Sequence, residues 1–202
     1  AETEAAARSS AASSAGRLAR LGLVLEAFLR GCDAETVLFL HGEVAMLGGF
    51  AGAAQAVKEA PREARADTLE YQLRRLTLPA RFELPLFADR ECAGLVPGAC
   101  RFMKSKKLPL WLVFRNADAA GDDTYVLYKL GDDLRQDMLV LNAFNLMDRL
   151  WKQDGLDLRL STFRCIPTGR DAGFVEVVPN AQTMARIQRD ANGLTGALRA
   201  TS

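Results

Sequence analysis

The sequence is short of the residues that most often carry metal and nucleophile chemistry. It holds one histidine, His41, and four cysteines, Cys32, Cys92, Cys100 and Cys165, none in a Cys-x-x-Cys spacing. A zinc site and a Cys/His nucleophile pair are therefore poorly supported, and four scattered thiols fit a reducing compartment better than a disulfide scaffold. Charge of either sign is not in excess. Lys plus Arg is 26 and Asp plus Glu is 25, a formal net charge of +1. Nothing in that balance points to nucleic acid, and any basic site must be local. No apolar run approaches the roughly 18 residues a membrane span needs. The first sixteen residues, "AETEAAARSSAASSAG", lack aromatic and large aliphatic side chains. They read as a linker, with neither an initiator Met nor the apolar core of a signal peptide.

What is present is an ordinary globular composition over 202 residues, 49% apolar and 25% charged, enough for one domain or one and a half. Residues 17–76 have helical spacing, with Leu18, Leu21, Leu25 and Phe28 on one stripe. Further helical pieces are expected from Ala34 through Lys58 and from Ala66 to Leu76. The texture changes near Pro79, where prolines begin to break short apolar runs. "LPLWLVFRN" (108–116) and "TYVLYK" (124–129) read as a hairpin of two strands. A helix follows, capped by Asp132 or Asp133 with Gln136 at capping-box spacing, and stopped by Gly155 in the left-handed conformation. Its stripe is Leu134, Met138, Leu141, Phe144, Met147 and Trp151. "LDLRLSTFRCI" (156–166) and "FVEVVP" (174–179) are expected strands, joined by the loop "PTGRDAG". Asn180 is the expected cap of a last helix.

The chemistry concentrates at "KLGDDLRQDM" (129–138). Lys129 ends a strand beside a helix N-terminus, where a fixed cation and backbone N–H groups can grip phosphate. A solvated strand-end lysine fits the same letters. Asp137 lies one turn into the helix and is either a partner that orients Lys129 or an exposed acid. "MKSKKLPLW" (103–111) puts lysines and a serine in a turn before a strand, but without the glycines of a P-loop. It is either a phosphate contact or a solvated charge run.

Taken in order and spacing, these segments resemble the catalytic domain of the phosphoinositide 3-kinase family. "SKKLPLWLVFRNAD", "YKLGDDLRQDML", "MDRLWKQDGLDLR", "CIPTGRDAGFVEVVPNAQTMARIQ" and "GLTGAL" carry the resemblance over about residues 82–198, and "LEAFLRGC" extends it weakly upstream. The resemblance implies an α+β fold. It would be a protein-kinase-like small lobe, an antiparallel sheet of about five strands with packed helices. Residues 1–16 would be a linker, 17–76 a helical segment, 77–178 the small lobe and 179–202 the start of a large lobe that is otherwise missing. It implies ATP as cosubstrate with Mg2+, whose ligands are expected in that missing lobe. Lys129 would contact the ATP phosphates, with Ser105 and Lys106 in the phosphate loop. Met103 and Trp111 would roof the adenine pocket, and Leu127 would form its wall. Asp132 and Asp137 would be the acids of the joint, Phe163 would line the inner pocket, and Val175, Glu176, Val177 and Val178 would lead into the hinge. There the backbone of Glu176 and Val178 would hydrogen-bond adenine.

Phe163 stands where most relatives carry tyrosine, and Pro167 where a small hydroxyl residue is common. "FRC" and "TGR" lean to class II enzymes, "SKKLPLWL" and "FLRGC" to class I. After Val178 there is no histidine, no Asp-Phe-Gly and one aspartate, Asp190. Phosphoryl transfer needs metal ligands and a base that such motifs supply. The expectation is an ATP-binding lobe that cannot transfer phosphate alone. In the whole protein it would act on phosphatidylinositol lipids at a membrane surface, cytoplasmic and peripheral, with a regulatory subunit as a further partner and no transmembrane segment. The alternatives are a non-catalytic kinase-like binding module, or a phosphatidylinositol 4-kinase or related large protein kinase.

Overall fold

A computed structural model of the chain describes residues 2–190. Contacts divide the chain into two units, Ala1–Gly49 and Phe50–Ser202. The first unit is helical: α1 (Glu2–Gly31) and most of α2 (Ala34–Glu59). α1 starts at Glu2, so the stretch read as a linker is helix. Its alanine content explains this, alanine having the best intrinsic helix propensity. Asp33 starts α2, its carboxylate accepting the amide of Thr36 at 2.7 Å, an N-cap that satisfies one orphan donor. The apolar stripe of α1 lies on a helix as expected, but Leu18, Leu21, Leu25 and Phe28 are all exposed.

α2 departs from the reading that no segment suits a bilayer. By length and composition it is long and apolar enough to cross one, with a mean hydropathy of 1.5 over its most apolar window. Its last turns have another use for that apolarity. Phe50, Ala53, Ala54 and Val57 are all buried, at the i, i+3, i+4, i+7 spacing of one helix face.

The second unit is built on an antiparallel sheet of seven strands: β1 (Phe82–Leu84), β2 (Phe87–Leu95), β3 (Arg101–Phe102), β4 (Leu110–Asn116), β5 (Thr124–Leu130), β6 (Cys165–Gly169) and β7 (Ala172–Glu176). The spatial order is β1-β2-β4-β5-β7-β6, with β3 beside β4. The α+β, kinase-like small-lobe architecture holds, with seven strands rather than about five. Helices α3 (Arg65–Arg74), α4 (Arg135–Gln153) and α5 (Met184–Asp190) complete it.

Alternation sorts the sheet into two faces. Leu110, Leu112, Phe114, Val126, Tyr128 and Phe174 are buried on one. Phe50 closes that face, its ring 5.9 Å from Phe114, 6.0 Å from Tyr128 and 6.0 Å from Phe174. Each such ring contributes about 1.5–3 kcal/mol on burial.

Two expected elements differ. Residues 156–164 alternate like a strand but form none; Arg159 at φ 52° interrupts the extended backbone, and Leu156, Leu158 and Leu160 are exposed. The segment read as a loop, 167–173, instead supplies the paired ends of β6 and β7, joined at Arg170-Asp171. The final helix begins at Met184, and Thr183 caps it, its hydroxyl accepting the Arg186 amide at 3.3 Å. Asn180 sits at φ 56° before it.

Candidate nucleotide site

The joint after β5 is built by backbone first. Gly131 turns the chain at φ 85°, a left-handed conformation glycine adopts without penalty. Its amide donates to the Asp171 carbonyl at 2.6 Å, and the Asp132 amide shares that acceptor at 3.3 Å. The hairpin between β6 and β7 therefore sets the direction in which the chain leaves β5.

Neither aspartate caps α4 as the sequence suggests. Asp132 is 3.7 Å from the ammonium of Lys107. Asp133 closes a local turn, accepting the Arg135 amide at 3.1 Å and the Arg135 Nε at 2.8 Å. The Arg135 guanidinium and amide hold the Asp133 carboxyl down to about 2. Leu134 takes the N-cap position with no side-chain cap, so no capping box forms with Gln136. It is fully buried instead, so the helix start is anchored by packing rather than by a side-chain cap. The stop at Gly155 is as expected, with φ 79° and the Leu156 amide returning to the Trp151 carbonyl at 2.8 Å.

Two lysines outside the expected set reach this joint. Lys58 of α2 donates to the Leu130 carbonyl at 2.7 Å, and Lys107 donates to the carbonyl of Gly131. A Cβ on Gly131 would lie 3.4 Å from the Lys58 ammonium and 3.6 Å from that of Lys107. Burial first, then the Lys107 charge, push the Lys58 ammonium below its ordinary range, with Asp132 opposing them. Sequence spacing gave no sign of Lys58, because its acceptor lies in a distant strand.

The sheet face opposite the aromatic core carries the expected pocket residues. Trp111 pairs with Leu127, and Leu127 with Val175, and paired residues in antiparallel strands share a face. Lys129 lies two positions after Leu127 on that face and pairs with Gly173. Gly173 allows a close approach: a Cβ there would meet the Ile166 carbonyl, Leu134 Cδ1 at 2.8 Å and Pro167 Cα at 2.9 Å. The charges of Lys129 and Asp137 both act on the Cys165 thiol. Burial and then Asp137 push that thiol up, while Lys129 pulls it down. No ion pair forms between the two among the described residues.

The remaining expected residues fall into three clefts. Asp137 and Phe163 line one of about 520 Å3 between α4 and residues 160–163. Trp111, Glu176, Val177 and Val178 line a second of about 520 Å3 with Phe87, Arg90 and Tyr125. Ser105 and Lys106 line a third of about 720 Å3 with Arg62, Arg65 and Lys104. The loop 103–109 is tightly closed, with Met103 and Pro109 joined by an amide-to-carbonyl bond of 2.8 Å, and it exposes Met103, Ser105 and Lys106. β7 ends at Glu176, so Val177 and Val178 lie just past the strand. The Val177 amide donates to Tyr125 at 3.4 Å, whereas the Val178 amide has no acceptor among the described residues. Also among the described residues, no three His, Cys, Asp or Glu side chains converge as a cation site.

Comparison with known proteins accounts for this arrangement. Residues 123–200 match the sequence model of the family described as phosphatidylinositol 3- and 4-kinase. Over 181 residues the chain is 44% identical to phosphatidylinositol 3-kinase 2 of Dictyostelium discoideum, covering 89% of this chain and 10% of that protein. It is 40% identical over 158 residues to the human phosphatidylinositol 4-phosphate 3-kinase C2 domain-containing subunit beta, 76% of this chain and 10% of that one. The human phosphatidylinositol 3-kinase C2 domain-containing subunit gamma matches at 44% over 116 residues, 57% of this chain and 8% of its own. The chain spans about a tenth of the length of the curated relatives it matches. With the kinase-like sheet, the lysine joint and these matches over most of its length, the chain belongs to the phosphatidylinositol 3- and 4-kinase family and resembles the 3-kinases within it.

Proposed function

We propose that this chain is the ATP-binding small lobe of a phosphatidylinositol 3-kinase, the part that holds the nucleotide while its γ-phosphate passes to the 3-hydroxyl of an inositol lipid. The observation that carries the reading is the shared face of Trp111, Leu127, Lys129 and Val175, turned away from the aromatic core. Three of these are apolar or aromatic and suit a purine. The fourth is a cation at the end of the same strand and suits phosphate.

ATP fits the residues present. Trp111, Leu127 and Val175 would cover the base, with Met103 at the roof. The Val178 amide, which has no acceptor among the described residues, would donate to the adenine edge, and the backbone of Glu176 would complete that recognition. Lys129 would neutralise phosphate charge, with Ser105 and Lys106 on the phosphates from the exposed loop. Asp132 and Asp137 belong to the joint that fixes the lysine strand, and Phe163 closes the inner cleft with an apolar ring. Mg2+ does not fit in the same way, since no three His, Cys, Asp or Glu side chains converge among the described residues. Its ligands and the group that receives the hydroxyl proton belong to other parts of the protein in this reading. The chain alone would bind nucleotide without transferring phosphate. The whole protein would act peripherally at cytoplasmic membrane surfaces, where its lipid substrate resides, and a regulatory subunit would be a further partner.

The test is a lipid-kinase assay on the full-length protein with Lys129→Met. Loss of activity on the order of 100-fold is expected for removing one fixed charge from a transferring phosphate. Activity within a factor of two or so of the parent would end the proposal.

A further inference from the structure

Arg164 precedes β6 and links it to β2, a strand that is not its neighbour in the sheet. Its guanidinium reaches Asp89 of β2 through both carboxylate oxygens, at 2.8 and 3.3 Å, and the Leu86 carbonyl at 3.4 Å. It lies 5.3 Å from the Phe87 ring centre, and Phe87 lines the cleft that also holds Glu176, Val177 and Val178. Its peptide is tied to β7 twice. The Arg164 carbonyl accepts the Glu176 amide at 2.8 Å, and the Arg164 amide donates to the Glu176 carboxylate at 2.7 Å.

The arrangement is a chain of fixed contacts from β2 to the end of β7. A planar guanidinium bound at both carboxylate oxygens fixes orientation as well as distance. About half of each side chain is exposed, 48% for Arg164 and 56% for Asp89, so the ion pair adds little to overall stability. Its consequence is positional. The backbone of Arg164 is the rung against which Glu176 is held, and Val178 lies two residues on.

We propose that Arg164 and Asp89 are positioning residues for the adenine-recognising edge, setting the backbone of Glu176 to Val178 without touching the nucleotide. This rests on the reading of Val178 as an adenine contact. Loss of an exposed pair of this kind alters an equilibrium constant by up to about fivefold. The effect is specific to the base. The phosphate end, held by Lys129 on another strand, is left as it is.

The experiment measures KM for ATP, KM for lipid and kcat in the full-length kinase carrying Asp89→Ala, Asp89→Glu or Arg164→Ala. Both alanine variants are expected to raise the ATP KM about three- to fivefold, with kcat and lipid KM unchanged. Asp89→Glu keeps the carboxylate and is expected to keep the parent KM. An unchanged ATP KM in both alanine variants would overturn the proposal, as would a parallel loss in kcat and lipid KM, the mark of general destabilisation. So would Asp89→Glu behaving like Asp89→Ala. Val178→Pro removes the amide donor and tests the underlying reading separately. If it leaves the ATP KM untouched, the adenine assignment itself fails. If it raises that KM while the alanine variants do not, only the clamp fails.

Discussion

The ammonium of Lys58 donates to the carbonyl of Leu130, 72 positions along the chain, at 2.7 Å. It ties the end of α2 to the residue after Lys129. Lys58→Met is expected to leave that carbonyl unpaired and to cost about 1 kcal/mol, after allowing for solvent screening of a half-buried charge. Urea unfolding of the chain checks this. Lys107 holds the next carbonyl, so the two substitutions together are expected to be non-additive.

Gly173 gives a sharper prediction. Any Cβ there meets the backbone of β6 and the buried Leu134 side chain. Gly173→Ala should destabilise by about 1–3 kcal/mol through overpacking, and should push β7 away from β6 beside Lys129. Equilibrium unfolding gives the first effect. Amide exchange at residues 166–173, faster than in the parent, gives the second.

Phe50 is fully buried among three rings. Phe50→Ala is expected to cost about 3–5 kcal/mol, read from the shift in urea midpoint. Leu18→Ala or Leu21→Ala in α1, both on exposed positions, should shift it by less than about 0.5 kcal/mol.

Asp133 predicts a pH effect. Its carboxyl is held down to about 2 by Arg135, so the pair's contribution is present above the ordinary carboxylate range and lost as pH falls through about 2. Asp133→Ala should remove that part of the acid sensitivity. The parent's urea midpoint would then fall more steeply than the variant's between about pH 4 and pH 2.

How much of this was legible in the letters varies with the range of the forces involved. β4 and β5 were, since their alternation and the turn between them are local. The Gly155 stop was also local and holds. Leu134 was placed on the helix stripe, but its role as a buried N-cap was not visible, because tertiary burial overrode the polar-cap rule. Residues 156–164 alternate convincingly and still form no strand, since a strand needs a neighbour and Arg159 turns the backbone. β2 was hidden by its exposed, charged middle, Asp89 to Glu91, which breaks the apolar alternation. Of the residues singled out from the letters, Trp111, Leu127, Lys129 and Val175 share one face. The contacts of Lys58, Lys107 and Arg164 escaped, because their partners lie far along the chain. Two aspartates expected to cap a helix pair with lysine and arginine instead.

The two-faced character of β5 also has a meaning for inherited or engineered variation. Thr124, Val126 and Tyr128 point into the aromatic core, and Leu127 and Lys129 point the other way. A scan along residues 124–129 should therefore read like the teeth of a comb. Damage at the even positions would show as missing protein in a cell. Damage at 127 and 129 would show as protein in normal amount that handles its ligand badly. Abundance and activity, measured side by side, would separate the two kinds of variant one residue at a time.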